Sequence, residues 1–374
     1  MKVIGINNPR TSFYVGGAEM VSMEHAKSFV QLGNKVYFFT VNPCSIGKEY
    51  SEQYLKFKYE YADTISFLEA DMDKTGVTAY RQFETSEKAF WYTASIYYNR
   101  SLYNKIGKTD NQFDFLLSYF NLDAIVIPTD KVKQNVLYLC GIPKEDDMDR
   151  IVFLAMYNKV IAITQETKEY WQKYLLQDIS VVHTGVDNNR FVAGQKQENI
   201  LRILFIGRLM ERKGAQLLLK ALTQIPESIK KNIYVDIVGD GPSRQMLENL
   251  TREYNLSDIV CFHGESFEPE IFFKNADLAV FPSLYGEGLQ GVILEAMSAG
   301  LCVIASETEI NKVLLKDNRG ITIKINDSND ICAKIIQCFR NRNLVRTCGS
   351  LAREFVVQNY TWEQKTKELL ENIL

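Results

Sequence analysis

Short apolar runs, each followed by a turn and then an amphipathic stretch, recur along the chain at intervals of about 20 to 30 residues. That rhythm predicts β-α units stacked into parallel sheets. The first strand is expected at Lys2–Ile6 and is followed by a polar loop, Asn7–Val15. A helix then opens at Gly16-Gly17-Ala18-Glu19, runs through Val30 and closes at Gly33, ahead of a second strand at Lys35–Val41. Further strands are expected at Phe113–Tyr119, Asn135–Cys140 and Lys159–Thr164, with a new unit starting at Ala124–Ile127. Helices are expected at Thr85–Ile106 and Gln165–Leu175. In the second half the same reading gives strands at Ile203–Ile206, Tyr234–Val238, Ile259–Phe262, Leu278–Ser283 and Leu301–Ala305. Between and after them fall helices at Ala215–Leu222, Ser243–Glu253, Leu289–Ala299, which stops at Gly300, and Glu363–Leu374.

The fold class is therefore α/β, and 374 residues favour two domains. The polar stretch Gly194–Asn199 and the preceding turn at Asp187-Asn188 mark the boundary, dividing residues 1–178 from 187–359. Tyr50–Lys108 is the least regular region. Its many aromatics, among them Tyr54, Phe57, Phe67 and Trp91, suit core packing, with contact to an acceptor or to lipid as other uses.

Composition narrows the chemistry. A net charge of −3 leaves no basic footprint for nucleic acid. The seven cysteines form no C-x-x-C pair, which suits reduced thiols in a cytoplasmic protein better than a disulfide framework or a zinc site. No apolar run approaches a membrane span, and Met1-Lys2-Val3-Ile4 reads as the start of a strand rather than of a leader.

Three stretches carry candidate chemistry. Gly286-Glu287-Gly288 lies between a buried strand and a helix, so backbone can approach a ligand where unpaired amides favour phosphate. Glu295 shares one helix face with Gly288 and Gly291 and stands among apolar neighbours, so it needs a partner that ligand hydroxyls would provide. The plainer reading makes Glu287 an exposed loop acid and Glu295 a surface position on an amphipathic helix. Arg208 and Lys213 flank a strand-to-helix turn in Gly207-Arg208-Leu209-Met210-Glu211-Arg212-Lys213-Gly214, where two cations suit a diphosphate; a basic surface turn is the alternative. Gly16 and Gly17 open the first helix without the G-x-G-x-x-G triplet or the second-strand acid of a dinucleotide-binding unit, which argues against a nicotinamide enzyme.

At these residues the chain resembles the retaining, nucleotide-sugar-dependent glycosyltransferases of the GT-B fold, family 4 type (group 1). The resemblance rests on FPSxxGEGxxxxxxEAMxxG over Phe281–Gly300, GRxxxxKG over Gly207–Gly214 and VGDGP ending at Pro242. Weaker support comes from GGAE at Gly16–Glu19 and from His183-Thr184-Gly185-Val186-Asp187. It implies two Rossmann-like domains facing across a cleft, with the terminal helix 360–374 crossing back to the first. In that family Glu287 would face the donor sugar and Glu295 the ribose, while amides of Gly288, Leu289, Gln290 and Gly291 hold the diphosphate. Arg208 and Lys213 would neutralise the leaving group, and Gly16 and Gly17 would approach the phosphates from the first domain.

The resemblance further implies transfer from a UDP- or GDP-sugar, UDP most of all, to a glycan, glycolipid or glycoprotein hydroxyl, with no cofactor and no metal. The aromatics of Tyr50–Lys108 leave a peripheral membrane contact through the first domain open beside core packing. Other readings are an epimerase or hydrolase on the same fold, or a non-catalytic subunit. The chain departs from the family at Tyr138-Leu139-Cys140-Gly141-Ile142-Pro143, where members carry histidine; Cys140, Ser118 and Tyr119 are the candidates by position. Asp71-Met72-Asp73 imitates a metal-binding D-x-D but reads as a solvated turn, because no buried strand is expected before it.

Overall fold

Strands with apolar side chains on both faces have to be covered on both. The first of them, β1 (Val3–Asn7), is buried from Ile4 onward and lies inside a parallel sheet of order β3-β2-β1-β4-β5-β6-β7. Its companions are β2 (Lys35–Val41), β3 (Ile65–Ala70), β4 (Phe115–Ser118), β5 (Asn135–Leu139), β6 (Lys159–Ala162) and β7 (Ile179–Val181). A second parallel sheet has the order β10-β9-β8-β11-β12-β13. It is built from β8 (Leu201–Ile206), β9 (Ile233–Val238), β10 (Val260–Gly264), β11 (Leu278–Phe281), β12 (Cys302–Ser306) and β13 (Ile321–Ile323). The computed structural model describes residues 1–73, 75–79, 90–119, 129–142, 154–194, 199–285 and 291–374.

Each sheet belongs to its own unit. One comprises Met1–Thr184 with Trp362–Leu374, the other Gly185–Thr361. The final helix, Trp362–Ile373, belongs to the first unit because Leu369 and Ile373 are buried there with Met23, Ala26 and Phe29 of the helix Gly17–Gln31. In the second unit, helices Ala215–Thr223 and Ser328–Arg340 cover one face of the sheet, burying Leu218, Leu222, Ile331 and Ile335. Helices Gly291–Ser298, Glu309–Leu315 and Arg342–Asn359 cover the other, burying Ile293, Leu294, Leu314 and Val356. No described helix is long and apolar enough to cross a membrane.

The strand order reverses beside β1 in one unit and beside β8 in the other, since β1 pairs with both β2 and β4, and β8 with both β9 and β11. This is the doubly wound Rossmann order, in which ligands bind outside the carboxyl ends of the strands at the reversal.

Several elements depart from the sequence reading. Strand β3 and the helix Glu52–Glu60 lie inside the region that reads as irregular. β3 is a sheet-edge strand with three half-buried residues in a row, so its alternation is faint. It directly precedes Asp71-Met72-Asp73, which corrects the expectation that no strand stands there. The two carboxylates nevertheless serve local structure: Asp71 accepts from Asn42 Nδ2 at 2.7 Å, and Asp73 from the Gly76 amide at 2.9 Å. The expected helix Thr85–Ile106 is described from Phe90 to Gly107, and the expected start at Ala124–Ile127 lies outside the described residues. Helices Glu309–Leu315, Ser328–Arg340 and Arg342–Asn359 add three elements beyond those expected.

Candidate active site at the carboxyl edge of the second sheet

After β8 the chain passes through Gly207 and Arg208 into Leu209, which is fully buried. Leu209 is anchored on both backbone atoms: its amide donates to Asp240 O at 2.8 Å and its carbonyl accepts from the Ser243 amide at 2.9 Å. A buried anchor at Leu209 leaves Arg208 exposed at the strand's carboxyl end. Among the described residues no carboxylate pairs with it. Lys213, half-buried, ends the 3₁₀ turn Glu211–Lys213.

Gly214 closes that turn with φ +77 and starts the next helix. A Cβ there would sit 1.9 Å from Pro282 O, so only glycine lets the turn lie against the segment leaving β11. The Leu284 amide donates to Arg212 O at 2.8 Å, tying the two loops together directly across the reversal. The cation-bearing turn is therefore held beside the segment that leads into the Gly-Glu-Gly loop. Glu287, Gly288, Leu289 and Gln290 lie outside the described residues. Beyond them Gly291, exposed and with open space where a Cβ would point, begins the helix Gly291–Ser298, and Glu295 lies half-buried one turn on.

The neighbouring loop is closed on itself. Arg244 donates to Asp240 at 2.7 Å and to Glu248 at 2.9 Å, and the Arg244 hydrogen bond holds the Asp240 carboxyl below its usual range. Its charge is thus met within the loop. A cavity of about 320 Å³ bounded by Asn199, Leu201, Asn232 and Arg342 opens at the opposite, amino end of β8 and β9, away from this edge.

In the first unit the corresponding edge looks different. The Gly16 amide donates to Glu19 Oε2 at 3.1 Å, so the glutamate of GGAE caps its own helix and occupies that amide. Gly17 is exposed, and the space a Cβ would enter there is empty to 4 Å. At the reversal, Tyr98 OH donates to Asn7 Oδ1 at 2.6 Å and Asn7 Nδ2 donates to Ser118 Oγ at 3.2 Å. Tyr119 OH and His25 Nδ1 share a hydrogen bond of 2.8 Å. His25 is fully buried, stands edge-on to Tyr138 and Trp362, and burial pushes its pKa down to about 3, so it is neutral. Of the three positional candidates, Ser118 and Tyr119 thus turn their hydroxyls inward, and Cys140 is half-buried. The sequence reading missed the His25–Tyr119 pair, because 94 residues separate its members and nothing local signals it.

Comparison with known proteins bears on the fold and on the second unit's family. The family model for glycosyl transferases group 1 matches residues 186–355. An uncharacterized glycosyltransferase, MJ1069 of Methanocaldococcus jannaschii, is 28% identical over 221 residues; the match covers 56% of this chain and 56% of that protein. The chain thus spans little more than half the length of this curated relative. A UDP-Gal:alpha-D-GlcNAc-diphosphoundecaprenol alpha-1,3-galactosyltransferase of Escherichia coli is 33% identical over 187 residues, covering 45% of this chain and 48% of that one. Among solved structures, Anabaena HepE in complex with UDP and glucose superposes with a TM-score of 0.75 at 16% identity, covering 100% of this chain and 99% of that one. Sheet order and structural likeness lead to one assignment: the chain has the GT-B fold, and its residues 186–355 match the glycosyl transferases group 1 family.

Proposed function

We propose that the protein is a retaining glycosyltransferase that moves a hexosyl group from a nucleotide-sugar, UDP-linked most of all, to a hydroxyl of a glycan, glycolipid or glycoprotein. The observation that supports this best is the turn bearing Arg208 and Lys213, tied by backbone to the segment after β11 at the reversal of the second sheet. Two cations there meet the charge that grows on a departing diphosphate. Glu295 takes the ribose hydroxyls, Glu287 faces the sugar, and the amides from Gly288 through Gly291 hold the phosphates. The first unit takes the acceptor.

In this scheme the acceptor oxygen forms its bond to the anomeric carbon on the face the diphosphate leaves. The carbon–oxygen bond to the diphosphate breaks, and the acceptor proton passes to a phosphate oxygen. Configuration is retained, and neither metal nor cofactor takes part. E. coli and Anabaena relatives named for, or bound to, uridine nucleotides favour UDP.

Mass-spectrometric screening of a panel of UDP- and GDP-sugars, with and without glycan acceptors, tests the reading. Glu295→Ala is expected to weaken nucleotide binding, with Arg208→Ala and Lys213→Ala acting on turnover; normal activity in all three sinks the assignment. A donor converted to its epimer, or hydrolysed equally well with and without acceptors, selects the epimerase or hydrolase instead. Absence of UDP and GDP binding by calorimetry selects a non-catalytic subunit.

A further inference from the structure

In the first unit the polar side chains at the reversal bond one another, but the loop that leaves β1 carries a group outside that network. The loop itself is held firmly. Thr11 and Ser12 are fully buried, Ser12 Oγ donates to Val41 O at 2.6 Å, and the Val41 amide donates to Pro9 O at 3.1 Å, so the loop is fastened to the carboxyl end of β2. The Tyr14 amide donates to Arg10 O at 2.9 Å, closing one turn that brings side chains four residues apart onto the same side. The Arg10 guanidinium accordingly lies 4.2 Å from the centroid of the Tyr14 ring. Both are open to solvent, the Arg10 side chain 35% exposed and Tyr14 40%.

Stacking takes the flat face of a guanidinium and leaves the N–H groups around its edge to bond elsewhere. Here that edge is unused within the protein. Nε stands 3.8 Å from Glu19 Oε1, too far for a hydrogen bond, and the other oxygen of Glu19 accepts from the Gly16 amide at 3.1 Å. Among the described residues the Arg10 guanidinium makes no hydrogen bond. An arginine fixed in direction, reachable from solvent and with its donors unspent suits two oxygens of one carboxylate or phosphate. A neutral hydroxyl would engage only one of those donors.

We propose that Arg10, stacked on Tyr14, binds a carboxylate or phosphate of the acceptor, so that the protein glycosylates an anionic acceptor in preference to a neutral one. The proposal rests on the glycosyl-transfer reading above, in which the second unit holds the donor's phosphates and the first takes the acceptor, and it names the acceptor's chemical class. Neither residue belongs to a motif that the sequence singles out.

Calorimetry on the full chain saturated with UDP tests it. The probes are methyl glucuronide for a carboxylate, glucose 1-phosphate for a phosphate, and methyl glucoside as the neutral control. The readout is the affinity of each charged probe relative to methyl glucoside. Wild type is expected to prefer at least one charged probe about tenfold, and the probe it prefers separates an acidic sugar from a sugar phosphate. Arg10→Gln should remove the preference, while Arg10→Lys, which keeps the charge and loses the fork, should leave about threefold. Tyr14→Leu frees Arg10 without altering its charge, should also leave about threefold, and carries the test if Arg10→Gln fails to fold. UDP affinity should stay within about twofold of wild type in every variant. Equal or absent binding of charged and neutral probes by wild type overturns the proposal. So does a preference that survives in Arg10→Gln, the outcome if the arginine only balances Glu19, and so does a loss of UDP affinity in parallel with the preference, which would put Arg10 on the donor. A wild type that binds neither UDP nor GDP overturns the nucleotide-sugar reading as well, whereas normal UDP binding without a charge preference overturns only the role of Arg10.

Discussion

The two sheets share one strand order yet end in opposite ways at their carboxyl edges. In the second unit that edge is shaped by backbone. Gly214 lets the turn after β8 press against Pro282, the Arg212 and Leu284 backbones join, and cationic side chains stand at the rim. In the first unit the edge is filled by side chains that satisfy one another: Tyr98 with Asn7, Asn7 with Ser118, Tyr119 with His25, and Glu19 with the Gly16 amide. The same topology therefore yields one reversal suited to an anion and another that is already hydrogen-bonded. Strand order decides where a ligand can bind, and loop chemistry decides which ligand.

The sharpest way to break this contrast is to remove the cations. Arg208→Ala or Lys213→Ala should lower turnover about 100- to 1,000-fold, the loss typical of one group that stabilises transition-state charge. Steady-state kinetics with the donor from the panel measures it, and a change below about threefold in both would show that the rim cations are surface groups. Next in size is the backbone itself. Gly214→Ala has to relieve both a positive φ and a 1.9 Å approach to Pro282 O, and should cost about 3 kcal/mol in urea unfolding while abolishing UDP binding.

Acid should act mainly on the first unit. His25 titrates near 6.5 when unfolded and near 3 when buried, so below pH 6.5 the unfolded chain binds the extra proton and stability falls as pH falls. The loss should reach about 2 kcal/mol by pH 5 and level off only below pH 3. His183, whose pKa burial also lowers, adds in the same direction. Denaturant titrations at pH 7 and 5 measure the slope, and His25→Gln, which keeps a polar group beside Tyr119 without titrating, should flatten it. The smallest effect belongs to Gly17→Ala. It enters an exposed helix start with open space around it, so stability should stay within about 0.5 kcal/mol of wild type, against the large loss at Gly214.

Much of the fold was readable because buried parallel strands are short apolar runs whose limits are marked by glycines. Val3–Asn7, Lys35–Val41, Ile233–Val238 and Cys302–Ser306 each fall within a residue or two of the stretch the pattern marks. β3 was not readable, since an edge strand with half-buried residues carries no clear alternation. Ser328–Arg340 and Arg342–Asn359 were missed because polar and apolar residues are mixed along them, and their apolar faces emerge only when wound into helices. Within the candidate site, Arg208, Lys213 and Glu295 stood out by spacing.

By itself, the order of residues determined what is local: where strands end, where glycine is needed, and which cations and carboxylates sit at the strand-to-helix turns. Only the tertiary structure decided which loops are tied across the reversal, which carboxylate caps its own helix, and which polar atoms are buried without a partner. The physical reason is that strand periodicity and turn chemistry act over a few residues, whereas desolvation and hydrogen-bond satisfaction depend on neighbours brought from far along the chain, as His25 is to Tyr119.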